Sequence, residues 1–182
     1  TQPFVESDAL AQRDIYGTSK ACADQIALCY GQSYGLPVVA LRHSNAWGPA
    51  DPHETHLIPA MILARLEDRP LHLRGIGQAR KDYLYVDDVI AAYLRSAEVA
   101  AGGAHGQAFN AGPDAPLSVL EIVTAFAERT ATEGSRLAWE FDGDEQTDYL
   151  EHLDSSRLRA VGWKPRSSDR ASARLWMRPA SR

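Results

Sequence analysis

The chain has 182 residues, 45% of them hydrophobic and 24% charged, enough apolar material for a soluble globular core. A net charge of −5 and a pI near 5.6 exclude a surface built to track nucleic acid or an anionic membrane, because phosphate needs a cationic excess. No apolar run approaches membrane-spanning length and no secretory pattern opens the chain, so a cytoplasmic location is expected.

The basic residues are three Lys and sixteen Arg. Cys22 and Cys29 lie seven apart in a helical stretch, on nearly one face but about two turns from each other, too far to bridge. Reduced thiols within a core are expected of them. The opening residues Thr1-Gln2-Pro3-Phe4-Val5-Glu6 lack an initiator Met and read as a loop, as if the chain began inside a longer protein.

Residues 1–13 are polar and read as a loop. A helix is predicted from Ile15 to Tyr34, where Ala23, Ile26, Ala27 and Tyr30 recur at intervals of three and four. Gly35 is placed to cap it and Pro37 stops it. The unbroken apolar run 38–41 predicts a strand buried on both faces of a parallel sheet. A loop is expected over 43–55, and a second helix from Leu57 to Leu66 with Pro59 in its first turn.

Leu71-His72-Leu73 is a short strand candidate before a Gly75-Ile76-Gly77 turn. The run 83–86 leads to Asp87-Asp88, which reads as the N-terminal cap of a helix over 89–99. Ala108-Phe109-Asn110 predicts another strand. Ser118 with Glu121 three residues on forms a capping box for a helix from Val119 to Thr130. A strand over 137–141 and a short helix over 155–161, closed by Gly162-Trp163-Lys164-Pro165, complete the pattern. Residues 167–182 are expected to form an irregular tail. Strands and helices alternate, which predicts an α/β fold.

Tyr16 and Lys20 stand four apart on the first helix and so share a face. An ammonium held near a phenol favours the phenolate, which suits proton exchange with a substrate hydroxyl near neutral pH. An ordinary surface pair has the same spacing. Asp87 and Asp88 invite a metal or carboxylate-pair reading, but helix capping accounts for them with less. His53 and His56 flank Glu54 with no further ligand in sight, so a loop is preferred to a metal site and no metal is expected.

Taken in order, several segments resemble one family. They are Pro3-Phe4-Val5-Glu6, Tyr16-Gly17-Thr18-Ser19-Lys20, Gly35-Leu36-Pro37-Val38-Val39 and Leu41-Arg42-His43-Ser44-Asn45-Ala46-Trp47-Gly48-Pro49. His56-Leu57-Ile58-Pro59, Lys81-Asp82-Tyr83-Leu84-Tyr85-Val86-Asp87-Asp88-Val89, Phe109-Asn110-Ala111-Gly112 and the stretch from Leu153 to Pro165 continue it. The chain is thus similar to the C-terminal portion of extended short-chain dehydrogenases/reductases of the NAD-dependent epimerase/dehydratase family. Nucleotide-sugar 4,6-dehydratases and 4-epimerases are among the members it resembles.

The resemblance implies the second half of a Rossmann-type doubly wound parallel sheet plus a smaller α/β substrate-binding lobe. Residues 1–45 and 82–112 would belong to the NAD(P)-binding domain, 46–81 and 113–166 to the nucleotide-sugar lobe. Tyr16 would be the acid/base at the sugar C4 hydroxyl during transient oxidation at C4, and Lys20 would hold the nicotinamide ribose. His43 and Ser44 would border the cofactor, NAD with NADP open. Asn45, His56, Leu57, Arg80 and Lys81 would meet the nucleotide-diphosphate sugar, although a turn residue at Asn45 and an exposed basic turn at Arg80-Lys81 are alternative readings. Where the family keeps an Arg for the diphosphate this chain has Lys81, a point charge without the bidentate fork. The helix from Tyr16 to Tyr34 would carry a homodimer.

The family's Gly-rich phosphate loop is absent from these residues, as are the Ser or Thr upstream of the Tyr and the Asp-Glu pair of the dehydratases. Gly75-x-Gly77 does not replace the loop, since no helix opens there. The expectation is therefore a C-terminal portion that is inactive alone. Two rival readings are a non-catalytic fragment or degenerate homologue acting as a partner subunit, and a redox enzyme for a non-sugar ketone.

Overall fold

The computed structural model describes residues 2–11, 14–143 and 150–166; the tail expected over 167–182 lies outside them. Helix α1 (Ile15–Tyr34) begins at Asp14, whose carboxylate accepts from the Gly17 N–H, and ends at Gly35, which takes φ 64°. That left-handed conformation is the one glycine enters without strain. Strand β1 (Val39–His43) follows, then after Ser44 strand β2 (Asn45–Trp47), helix α2 (Leu57–Leu66) and strand β3 (Leu71–Arg74). Next come β4 (Arg80–Lys81), β5 (Tyr83–Tyr85), α3 (Val86–Ala101) and β6 (Gln107–Ala111). Strand β7 (Leu117–Ser118), helix α4 (Val119–Thr130), β8 (Trp139–Asp142), β9 (Leu150–Glu151) and α5 (Ser156–Ala160) complete the order. The predicted capping box is present, with Ser118 Oγ accepting from the Glu121 N–H and Glu121 accepting from the Ser118 N–H.

Pairing is mostly parallel, as alternating strands and helices require. β1 pairs with β6, β2 with β5, and β3 with β8, all parallel; β4 lies between antiparallel β7 and parallel β9. The chain changes sheet at a single residue, Ser44, whose N–H donates to the Ala111 carbonyl at 2.9 Å. Helices flank β1 on both faces. Val39 and Leu41 pack toward the α3 side, whereas Arg42, on the opposite face by alternation, reaches Asp24 of α1.

Two apolar clusters result. One gathers Ile58, Met61, Ala64, Leu71, Leu73, Ile122, Val123, Phe126, Ala127 and Leu137 from α2, β3, α4 and the approach to β8. The other gathers Leu84, Val89, Ala92, Phe109, Ala111, Leu158 and Trp163. Trp163 is buried and its indole N–H donates to the Asp88 carbonyl at 3.2 Å. The Asp88 carboxylate accepts from the Arg166 N–H at 2.9 Å.

Several expectations are corrected. Helix α3 starts at Val86, so Asp87 and Asp88 sit inside its first turn and the capping position falls to Tyr85. Buried Asp88 is instead the anchor of the C-terminal Trp-Lys-Pro-Arg stretch. Strand β1 is half-buried, not sealed on both faces. Cys22 and Cys29 are free and exposed, outside either core. The inward side of α1 carries Ala21, Asp24, Ala27, Leu28 and Gly31, which turns both thiols outward. The loop read over 43–55 contains β2, whose ladder partner β5 is supplied by a distant part of the chain.

Candidate active site

Tyr16 and Lys20 lie at the start of α1, a turn held by Asp14. The Thr18 hydroxyl donates to the Asp14 carbonyl and the Ser19 hydroxyl to the Tyr16 carbonyl, both at 2.7 Å. The Lys20 ammonium stands 5.5 Å from the centre of the Tyr16 ring, and the tyrosine is 72% exposed. The pair therefore forms, and it faces outward from the described residues.

At the C-terminal end of β1, His43 Nδ1 lies 2.8 Å from the Ser44 carbonyl and its ring meets Tyr93 edge-on. Ser44 is buried, and among the described residues its hydroxyl has no hydrogen-bond partner. Strand ends of this kind are where open α/β sheets take their ligands. No hydrogen bond or ion pair among the described residues links Tyr16 or Lys20 to His43, Ser44 or Asn45.

Asn45 opens β2 opposite Tyr83 of β5. Its amide nitrogen donates to the Asp82 carbonyl at 3.1 Å and to Glu151 Oε1 at 3.0 Å. The Asp82 side chain is buried and accepts from the Ala115 and Leu153 N–H groups, joining three segments; burial, outweighing those bonds, pushes its carboxyl up from the usual range. Burial first, and the nearby Glu151 charge second, push the Tyr83 phenol up to about 12.

Lys81 sits in β4 opposite Leu117 and Glu151, on the edge of the same group. Arg80 is turned to the scaffold: it pairs with Glu121 at 3.0 Å and donates to the Pro116 carbonyl at 2.8 Å. The structure thus brings Asn45 and Lys81 to one locality and commits Arg80 to the start of α4.

His56 occupies the N-cap position of α2 without a side-chain cap, and its Nδ1 lies 2.8 Å from Asp51. The His53 and His56 rings are 4.8 Å apart. Asp51 is held below the usual carboxylate range, mainly by the His53 N–H and then by His56. Leu57 packs against the α2–α4 core. Among the described residues no group of His, Cys, Asp and Glu could hold a metal ion. Glu151 and the Asp82 carboxylate are the members that sequence reading missed. Glu151 meets Asn45 across 106 residues, and no local pattern marks such a pairing.

The parallel pairs flanked by helices, with side chains gathered at strand ends, define a Rossmann-type α/β protein. The family model for the NAD dependent epimerase/dehydratase family matches residues 1–112, and the chain belongs to that family. It is 29% identical over 170 residues to dTDP-D-glucose 4,6-dehydratase of Mus musculus, covering 91% of this chain and 47% of that protein. The dTDP-glucose 4,6-dehydratase of Bacillus anthracis, solved in complex with NAD, superposes with a TM-score of 0.80 at 29% identity over 97% of this chain and 55% of that one. The UDP-glucose 4-epimerase of Thermus thermophilus, also with NAD, gives a TM-score of 0.71 at 28% identity, over 89% of this chain and 52% of that one. The chain spans about half the length of these three proteins. No helix among the described residues is long and apolar enough to cross a membrane.

Proposed function

We propose that this chain forms the Tyr–Lys and sugar-facing part of an NAD-dependent enzyme that epimerises or dehydrates a nucleotide-diphosphate sugar through transient oxidation at C4. The observation that carries the reading is the Lys20 ammonium 5.5 Å from the Tyr16 ring on an exposed helix start, in a chain of this family. The relatives named above are a dehydratase of each of two organisms and an epimerase, and Tyr16 and Lys20 serve either outcome.

The residues present fit a dinucleotide. A buried hydroxyl without a partner costs about 1–3 kcal/mol, and a polar ligand edge against Ser44 Oγ would remove that penalty. Lys20, His43 and Ser44 would hold NAD, with NADP open as the alternative. NAD supplies the hydride acceptor and donor when bound. Tyr16 Oη takes the proton of the sugar C4 hydroxyl as the ketone forms and returns it when the ketone is reduced. Asn45, Lys81, His56 and Leu57 are assigned to the nucleotide sugar, Lys81 as the diphosphate cation, while Arg80, paired with Glu121, supports that side from the start of α4.

The two cores support a division of labour. Residues 1–45 and 82–112 would form the cofactor side, and 46–81 with 113–166 the sugar lobe, with Leu158 and Trp163 packing onto the cofactor side. A second copy of the chain would dock on α1, where Ile26, Tyr30 and Tyr34 are exposed and the two Tyr rings lie tilted with their centres 5.6 Å apart. Sedimentation as a monomer at micromolar concentration would remove that assignment. Exposed free thiols at Cys22 and Cys29 suit the reducing cytoplasm.

The test is turnover of UDP-glucose or dTDP-glucose with NAD by the full-length enzyme that would contain these residues, followed as 4-keto sugar and as C4 epimer. Tyr16→Phe is expected to lower turnover about 10²- to 10⁴-fold while leaving sugar-nucleotide binding in place. Retained turnover in that variant removes Tyr16 from the acid/base role. Binding without turnover in the unaltered full-length enzyme favours a non-catalytic partner subunit instead.

A further inference from the structure

Asn45 carries two N–H hydrogens and one carbonyl oxygen on its side chain. The nitrogen faces two groups that can only accept, the Asp82 carbonyl at 3.1 Å and the Glu151 carboxylate at 3.0 Å. Turning the amide over would set its oxygen against both of those oxygens, so the surrounding network decides its orientation. Asn45 is held at the first residue of β2 by its pairing with Tyr83, and Glu151 by the pairing of β9 with β4. The upward push that Glu151 contributes to the Tyr83 phenol agrees with a carboxylate lying against this strand end.

We propose that Glu151 is a positioning residue that fixes the polarity of Asn45, leaving only the amide oxygen for a ligand, so that Asn45 reads a hydroxyl of the sugar and not a phosphate oxygen. The ligand half of this statement rests on the nucleotide-sugar reading; the clamp itself does not. Both N–H groups are already engaged, and a phosphate placed at Asn45 would find no donor there and would meet the Glu151 carboxylate. A hydroxyl would find the amide oxygen as acceptor, the polar atom of this side chain that the bonds to Asp82 and Glu151 leave unused. Discrimination between sugar and diphosphate at this point would therefore be set by an acidic side chain that does not touch the ligand.

Two measurements test it on the 182-residue chain. In amide spectra of the 15N-labelled protein, the Asn45 side-chain NH2 pair is identified by its loss in Asn45→Ala. Glu151→Ala is expected to shift that pair and speed its exchange with solvent, and Glu151→Gln, which keeps an acceptor, to restore it toward the original position. A pair that ignores Glu151→Ala overturns the clamp, and the Gln variant keeps the comparison available if the Ala variant folds poorly.

Calorimetric titration with UDP and with UDP-glucose then addresses the ligand. Asn45→Ala and Glu151→Ala are each expected to weaken UDP-glucose about five-fold while leaving UDP unchanged, the effect of one neutral hydrogen bond. The double variant should lose no more than either single one. Equal weakening of UDP and UDP-glucose overturns the hydroxyl assignment in favour of a phosphate contact. Failure of the unaltered chain to bind either probe overturns the ligand half together with the nucleotide-sugar reading, and the amide spectra still decide the clamp.

Discussion

Gly31 and Gly106 touch backbone to backbone: a Cβ on Gly31 would lie 2.3 Å from the Gly106 nitrogen and 2.5 Å from its Cα. Helix α1 approaches the start of β6 at this point, and Gln32 Nε2 donates to the Gly106 carbonyl at 2.9 Å. Neither of those two atoms belongs to a side chain that could swing away. Gly31→Ala is expected to destabilise the fold by about 1–3 kcal/mol through overpacking, despite the better helix propensity of Ala. Urea unfolding of the two proteins measures it; an unchanged or higher midpoint would show that α1 can back away from β6.

Asp88 holds the end of the described chain through two groups, its carbonyl to Trp163 and its carboxylate to the Arg166 N–H. Asp88→Ala removes only the second and is expected to cost about 1–3 kcal/mol. Trp163→Ala empties a buried site and is expected to cost about 3–5 kcal/mol. If Asp88→Ala matched the parent in denaturant, the carboxylate would have no anchoring role.

The Asp82 carboxyl is pushed above its ordinary value by burial, so the folded chain holds its proton to higher pH than the unfolded chain does. The stabilising contribution of the protonated form is complete below the unfolded pKa and is lost as pH rises through the folded one. Asp51 and Asp154, both lowered, act in the opposite sense, losing their contribution as pH falls. Asp82→Asn should therefore flatten the part of the stability–pH curve that falls with rising pH above about 4. A slope identical in the two proteins rules Asp82 out as its source.

Burial, with the Glu151 charge as the smaller cause, pushes the Tyr83 phenol up to about 12. In an ultraviolet titration of the seven tyrosines, one step should come late, and Tyr83→Phe should delete it. Glu151→Gln should bring that step to lower pH without abolishing it, because burial is the larger cause. A single common midpoint for all seven would contradict the burial of this phenol.

Cys22 and Cys29 both face solvent, and each should react with a thiol reagent in the native protein without prior unfolding. Reaction only after unfolding would return them to the core.

The parts of the fold legible in the sequence are those with local causes. Helix α1 could be bounded from Ile15 to Tyr34 because it has a periodic interior, with Gly35 placed to cap it and Pro37 just beyond. The Ser118–Glu121 box marked α4 for the same reason. Strands β4, β7 and β9 span two residues each and form through partners far along the chain, so nothing within them announces a strand. Which side of α1 faces inward was hidden because apolar residues surround it: Ile26 and Tyr30 look outward while Asp24 turns inward to pair with Arg42. At the candidate site, Tyr16, Lys20 and Asn45 could be singled out by motif, whereas Glu151 could not. Its significance comes from the place to which β9 carries it.

Leu158 and Trp163 complete a cluster whose other members run from Leu84 to Ala111. During synthesis the strands β1 and β6 leave the ribosome first, yet the surface that α5 and Trp163 cover stays open until the chain has grown about fifty residues further. A ribosome that stalls or terminates shortly before Trp163 therefore releases a polypeptide with nearly all its strands and one apolar face bare. Such products would be substrates for chaperones and proteases, and synthesis past Trp163 becomes the checkpoint for a closed core.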